Sequence, residues 1–194
     1  MIPQDDEYRD ALAAVLRALI EGGPDAARRA LQPIAYPRHD VPSRPAMPCS
    51  VMLAVFWRDH WTCRYCGGRT IFTPVMALLG TLFPDQFPFH RNWKGGQTHP
   101  AVVARSAVVD HVIPGAHGGS WADPENLATA CWPCNARKGD LTIRQLGWDL
   151  RPIEPSERDG LTDSYQRVWE LAGRPTTDAH PEWIRGLVAS RASA

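Results

Sequence analysis

The chain predicts an α+β fold in which a small strand–loop–strand–helix unit sits inside a mainly α-helical shell. Three observations carry that prediction. Two Cys-x-x-Cys pairs, Cys63/Cys66 and Cys131/Cys134, bracket the middle of the sequence. Ala101 to Val109 is rich in β-branched residues and reads as a strand, Gly115 to Glu125 reads as a loop, and Asn126 to Ala130 as a second strand before a helix opened by Pro133. On both flanks apolar residues recur at three- and four-residue spacing, the period of helices that bury one face.

Composition bounds what this fold can do. The 194 residues suffice for one domain with extensions or two very small ones. A hydrophobic content of 44% and eight Trp supply a packed core. The formal net charge is zero, which excludes a globally basic surface. The distribution is uneven: residues 36–138 hold ten Lys/Arg against six Asp/Glu, residues 1–35 four against six, and residues 139–194 seven against nine. A positive centre between acidic flanks points to an anionic partner. The acidic start, Met-Ile-Pro-Gln-Asp-Asp-Glu, does not read as a secretory signal, and no apolar run approaches the roughly 18–20 residues that span a bilayer. A cytoplasmic location without membrane contact is expected, where paired Cys-x-x-Cys motifs read as metal ligands rather than disulfides.

Three regions follow: residues 1–48, a helical region with a Pro-rich arm; 49–150, the chemical centre, with an insertion at about 69–107; and 151–194, a helical extension. In the first, Tyr8, Leu12, Val15, Leu16 and Leu19 form one helical stripe, which Gly22-Gly23-Pro24 ends before a second short helix to Leu31. Five prolines between Gln32 and Pro48 preclude a regular helix or central strand, so Arg38, His39 and Arg44 lie on an extended arm or a covering loop. Cys49 to His60 resumes a helix with Val51, Met52, Val55 and Phe56 on its apolar side; Cys49, without a partner at ligand spacing, reads as a small buried hydrophobe.

Within the insertion, Thr73-Pro74 opens a short helix to Phe83. Pro84 to Pro100 reads as a loop in which Arg91 and Lys94 interleave with Trp93, a composition suited to phosphates and unstacked bases and equally to a surface loop with a packed Trp. Asp140-Leu141-Thr142 caps a short helix to Leu146, Pro152 to Asp159 is a linker, and Thr162 to Ala172 and His180 to Ser190 are helices. Tyr165, Val168, Trp169 and Leu171 mark the buried side of the first of these.

Four cysteines in two knuckles match a closed tetrahedral structural zinc site, with Gly67 and Gly68 letting the first knuckle turn. Such a site ties distant segments together and supplies on the order of 10 kcal/mol of folding free energy. With every position taken by thiolate it has no place for a substrate. Asp110 and Asn135 offer a second, oxygen-based set suited to Mg²⁺ or Mn²⁺. His111 beside them is a general-base candidate, since histidine ordinarily titrates near neutrality. Phosphodiester hydrolysis fits this set, with Arg137 and Lys138 placed to hold neighbouring phosphates.

The order of these residues is more specific than any one of them: Asp110-His111-x-x-Pro114, Gly118-Gly119, Asn126-Leu127, then Cys131-x-x-Cys134-Asn135-x-x-Lys138, preceded by Arg58-Asp59-x-x-x-Cys63-x-x-Cys66. From Arg58 to about Asp140 the chain resembles the HNH nuclease family. The resemblance implies a zinc-stapled ββα-metal (His-Me) finger acting as a divalent-metal-dependent endonuclease, with double-stranded DNA the expected partner. It casts Asp110 as the first metal ligand, His111 as the general base, Asn126 as the residue that ties down the loop carrying the base, and Asn135 as the second metal ligand. Asn135 stands where the family's name has His, so this is an H-N-N variant, with weaker metal binding as the expected cost. The alternatives are a zinc module of the same fold that binds nucleic acid without cutting, and a purely structural zinc platform, which leaves Asp110, His111 and Asn135 without a purpose. Oligomeric state stays open.

Overall fold

The computed structural model describes residues 5–34, 46–176 and 179–192. The chain divides into two compact units, Met1–Ser43 and Arg44–Ala194. Among its described residues the first holds helix α1 (Asp5–Leu31) and a 3-10 turn, Gln32–Ile34. α1 is two helices meeting at Gly23, whose φ of 73° and ψ of −172° are not helical and which precedes Pro24. The expected Gly-Gly-Pro break is therefore present. Arg38, His39 and Arg44 of the Pro-rich arm lie outside the described residues.

The second unit contains α2 (Cys49–Arg58), α3 (Thr73–Leu82), α4 (Pro100–Arg105), β1 (Ala107–His111), β2 (Leu127–Cys131), α5 (Trp132–Lys138), α6 (Ile143–Leu146), α7 (Tyr165–Leu171) and α8 (His180–Ala192). It is helix-rich with one two-stranded antiparallel sheet. The main core gathers Leu53 and Phe56 of α2, Trp61, Phe72, Leu78 of α3, Tyr165 and Leu187, with α8 lying against α2. Phe72 meets Trp61, Tyr165 and Trp183 edge-on at 5.1–5.7 Å between ring centres. Edge-to-face contacts of this kind add to the area each ring buries. A second cluster collects Cys63, Tyr65, Ala130 and Cys131, with Trp148 and Leu150 against it. Leu171, expected on the buried side of α7, is 66% exposed. None of the described helices is long and apolar enough to cross a membrane.

The expected strand from Ala101 to Val109 is corrected by the fold. Pro100–Arg105 is helical, and pairing begins only at Ala107. Pro100 stands at the first turn, where its missing N–H costs nothing, and the His99 side chain accepts from the Ala101 N–H. These start signals outweigh the weak strand preference of Val102 and Val103, and Val102 is fully buried as a helical residue.

The sheet pairs Ala107 with Cys131, Asp110 with Ala128 and His111 with Leu127, in an unbroken antiparallel register. Two strands alone would leave both edges unpaired. The chain covers each. Ile71 bridges Ser106 beside β1. The far edge of β2 is taken by the segment after α2: Asp59 Oδ2 accepts from the Thr129 N–H at 2.7 Å, the Arg64 N–H donates to the Thr129 carbonyl at 2.8 Å, and Arg58 donates to the Leu127 and Pro124 carbonyls at 2.6 and 2.7 Å. Arg58 and Arg64 also pair with the buried Asp59 carboxylate at 2.9 and 3.2 Å. A buried acid satisfied by two guanidinium groups and a backbone N–H is a lock that water cannot replace.

Asp59→Ala strands two arginines and the Thr129 N–H, and is expected to cost about 3 kcal/mol, the low end for a broken buried pair because Arg58 still reaches solvent. Chemical denaturation checks it: a midpoint unchanged from wild type sinks the lock.

Candidate active site and metal centre

The first Cys-x-x-Cys turn is built by backbone hydrogen bonds, Cys63 N–H to the Gly68 carbonyl at 2.9 Å and Gly67 N–H to the Cys63 carbonyl at 2.8 Å. Gly67 takes the left-handed φ of 74° that the turn requires. The second pair sits at the end of β2 and the first turn of α5, so the sheet carries it to the first. The four Sγ atoms lie within 4.8 Å of one another, and Cys66 and Cys131 are 3.8 Å apart. A tetrahedron with metal–sulfur bonds of about 2.3 Å has sulfurs about 3.8 Å apart, so the set fits one thiophilic ion such as zinc and is too wide for a disulfide. Burial pushes the Cys63 thiol up to about 11, and burial with the charge of Cys63 raises Cys134 as well. A divalent ion at the centre would favour the thiolate forms that burial disfavours at Cys63 and Cys134.

Asp110 and His111 close β1. The register has no bulge, so the two side chains leave the strand on opposite faces. Both nevertheless line one polar cavity of about 120 Å³, together with Asn135 of α5. They approach it from two sides, each held by a different partner. Tyr65, between the two cysteines of the first knuckle, donates its hydroxyl to Asp110 Oδ2. Lys138 places its ammonium 3.0 Å from the same oxygen and 2.7 Å from the His111 carbonyl. Burial and the Asp110 charge push the Tyr65 hydroxyl far up, so it stays a donor. Both contacts fall on Oδ2 of Asp110. On the other side, the His111 ring meets Trp121 edge-on at 4.6 Å, and its Nε2 lies 3.3 Å from the Trp121 carbonyl. A carbonyl only accepts, so Nε2 is the donor in this contact, and in the neutral ring the lone pair falls on Nδ1.

Asn126 governs the loop between the strands. Its Oδ1 accepts from the Ile113 N–H at 2.8 Å, and its Nδ2 donates to the Ile113 and Ser120 carbonyls at 3.0 and 2.8 Å. Gly119 packs under this clasp: a Cβ there would fall 1.7 Å from the Ile113 oxygen. Close approach therefore requires Gly119, and the left-handed φ of 81° favours glycine at 118.

The structure thus brings together Asp110, His111 and Asn135, and separately Cys63, Cys66, Cys131 and Cys134. Asp110 and Asn135 are a hard oxygen set of the kind Mg²⁺ takes with waters retained. Lys138 is corrected: it is 1% exposed and lies beneath Asp110, not on the surface where a phosphate would rest. Arg137 is exposed, with its guanidinium 5.5 Å from the Trp148 ring centre. Arg91 and Lys94 are exposed on the loop after α3. Sequence reasoning missed Tyr65 and Trp121, though each carried a signal: a hydroxyl-bearing ring inside a cysteine knuckle, and a lone large aromatic in a Gly-Ser loop.

Wild type is expected to hold one zinc ion per chain by elemental analysis, and Cys131→Ser to abolish it and unfold the second unit; full metal retention would refute the shared site. Lys138→Met leaves the mostly buried Asp110 carboxylate without its cation and is expected to cost about 3 kcal/mol or more by denaturation. A phosphate-holding surface lysine would show no such loss.

No curated protein and no solved structure matches this chain. Residues 94–141, which contain α4, both strands, the loop between them and α5, match the family model described as HNH endonuclease, as the Asp110-His111 to Lys138 motif led us to expect.

Proposed function

We propose that residues 49–150, interrupted by an insertion at about 69–107, form a nuclease domain whose β1, β2 and α5 make a ββα-metal finger, and that it hydrolyses DNA phosphodiester bonds. The observation that carries this reading is that His111, with Nε2 turned to the Trp121 carbonyl, lines one polar cavity with Asp110 and Asn135. Nδ1 takes a proton from water, the hydroxide formed attacks phosphorus, and the bond to the 3′ oxygen breaks. Asn126 acts as a positioning residue, fixing the loop whose Trp121 carbonyl orients the base. A divalent cation, Mg²⁺ or Mn²⁺, held by Asp110 and the Asn135 amide oxygen would supply Lewis-acid stabilisation of the phosphate charge. The four cysteines take zinc in a structural role. Arg91, Lys94 and Arg137, all exposed, contact the flanking backbone.

One contact favours a second reading, a finger that grips nucleic acid without cutting. Lys138 already sits on Asp110, and its charge opposes a cation at the same carboxylate. With Asn135 in place of an imidazole ligand, metal affinity on the cleaving reading is modest, so cutting requires metal concentrations well above those a denser carboxylate site needs.

Supercoiled plasmid incubated with and without Mg²⁺ or Mn²⁺ tests the choice, alongside His111→Ala of verified fold and zinc content. Metal-dependent nicking lost by at least a hundredfold in the variant is the expected result. Binding without cutting under any metal replaces it with the second reading.

A further inference from the structure

Two cavities meet at a common wall made of Asp110, His111, Trp121 and Asn135. The polar one, about 120 Å³, continues to Lys138, Gly139 and Asp140. The other measures about 840 Å³ and is walled largely by apolar side chains, among them Met52, Phe56, Phe72, Phe89, Trp93 and Trp183. A polar compartment beside an apolar, aromatic one repeats the division within a nucleotide between its phosphate and its base. A phosphate does not enter an apolar wall, whereas a flat heterocycle stacks on one.

We propose that the larger cavity is a subsite for a nucleobase turned out of its stack beside the scissile phosphate, so that the preferred substrate is DNA with an unpaired or readily extruded base. This rests on the nucleic-acid reading of the adjoining site. The volume lies within the range of roughly 300–1,000 Å³ typical of small-ligand pockets. Trp93 is a firm platform, held edge-on against Trp132 at 4.6 Å. Arg91 and Lys94, exposed on the same loop, supply positive charge for the phosphates on either side of an extruded nucleotide. Phe72, Phe89 and Trp93 all belong to the 69–107 insertion, so the segment that interrupts the motif supplies part of the subsite wall. Extruding a base from a paired duplex costs unstacking and unpairing, and the cost is least at a mismatch or bulge, which sets the direction of the preference.

The test uses the full chain with two duplexes of one sequence, one fully paired and one bulging a single 2-aminopurine, titrated in buffer without Mg²⁺ or Mn²⁺ so that binding is read without cleavage. The bulged duplex is expected to bind more tightly by about five- to a hundredfold, the range of one base–aromatic stack, with a change in 2-aminopurine emission. Trp93→Ala, and Ala122→Trp at an exposed position on the cavity wall, are expected to remove that preference while zinc content and circular dichroism stay as in wild type. Equal binding of the two duplexes with no change in emission overturns the subsite and leaves the plasmid result for the nuclease reading intact. A preference that survives both variants also overturns it. A preference abolished by both variants, in a protein that cuts nothing, upholds the subsite and removes the cleavage reading alone.

Discussion

The buried ammonium of Lys138 is the contact on which the geometry of the site depends. It closes α5 by reaching back to the end of β1, where it meets both the Asp110 carboxylate and the His111 carbonyl. A charge with no exposed side-chain surface is tolerable only with such partners, so α5 and β1 are fixed relative to each other by the penalty for separating them. Tyr65 adds the third member. Because it lies between Cys63 and Cys66, the cysteine cluster and Asp110 are linked by one side chain. The cysteine cluster and the candidate site at Asp110 are separate in chemistry and joined in mechanics.

The same economy holds the small sheet. Two five-residue strands cannot bury enough to stand alone. Arg58, Asp59 and Arg64 satisfy the outer edge of β2, while the Ile71 bridge covers β1. Ten residues from Arg58 to Gly67 therefore serve in turn as edge cover, ion-pair lock and cysteine knuckle. That density explains why a short motif fixes its geometry despite the long insertion that interrupts it. The insertion, for its part, places helix α3 and an aromatic loop against the site without breaking the strand register.

Much of this was legible in the residues. The Gly-Gly-Pro break in α1, the helix from Cys49, the Pro74 start of α3 and the Thr142 cap of α6 depend on local rules, and local rules suffice where no distant partner competes. The segment from Pro100 to Arg105 shows the boundary. Its β-branched run suggested a strand, but a proline at the first turn and a capping histidine decided for helix, and the burial of Val102 then rewarded that choice. Leu171 fell on the wrong face for a related reason: a seven-residue helix has too few turns for its stripe to be read without knowing its neighbour.

The sequence alone determined which residues could do chemistry, because ligand type, spacing and the order Asp-His, Gly-Gly, Asn, Cys-x-x-Cys-Asn are properties of the chain. Only the tertiary structure decided what each of them faces. Lys138 and Arg137 are adjacent and alike in charge, yet one is buried beneath a carboxylate and the other is exposed. No local rule separates them, since burial is set by what packs across from a helix face, here β1 and the Tyr65 knuckle. The apolar cavity is of the same kind: its walls come from α2, the insertion, β1 and α8, and residues so far apart in sequence become one surface only when the core closes.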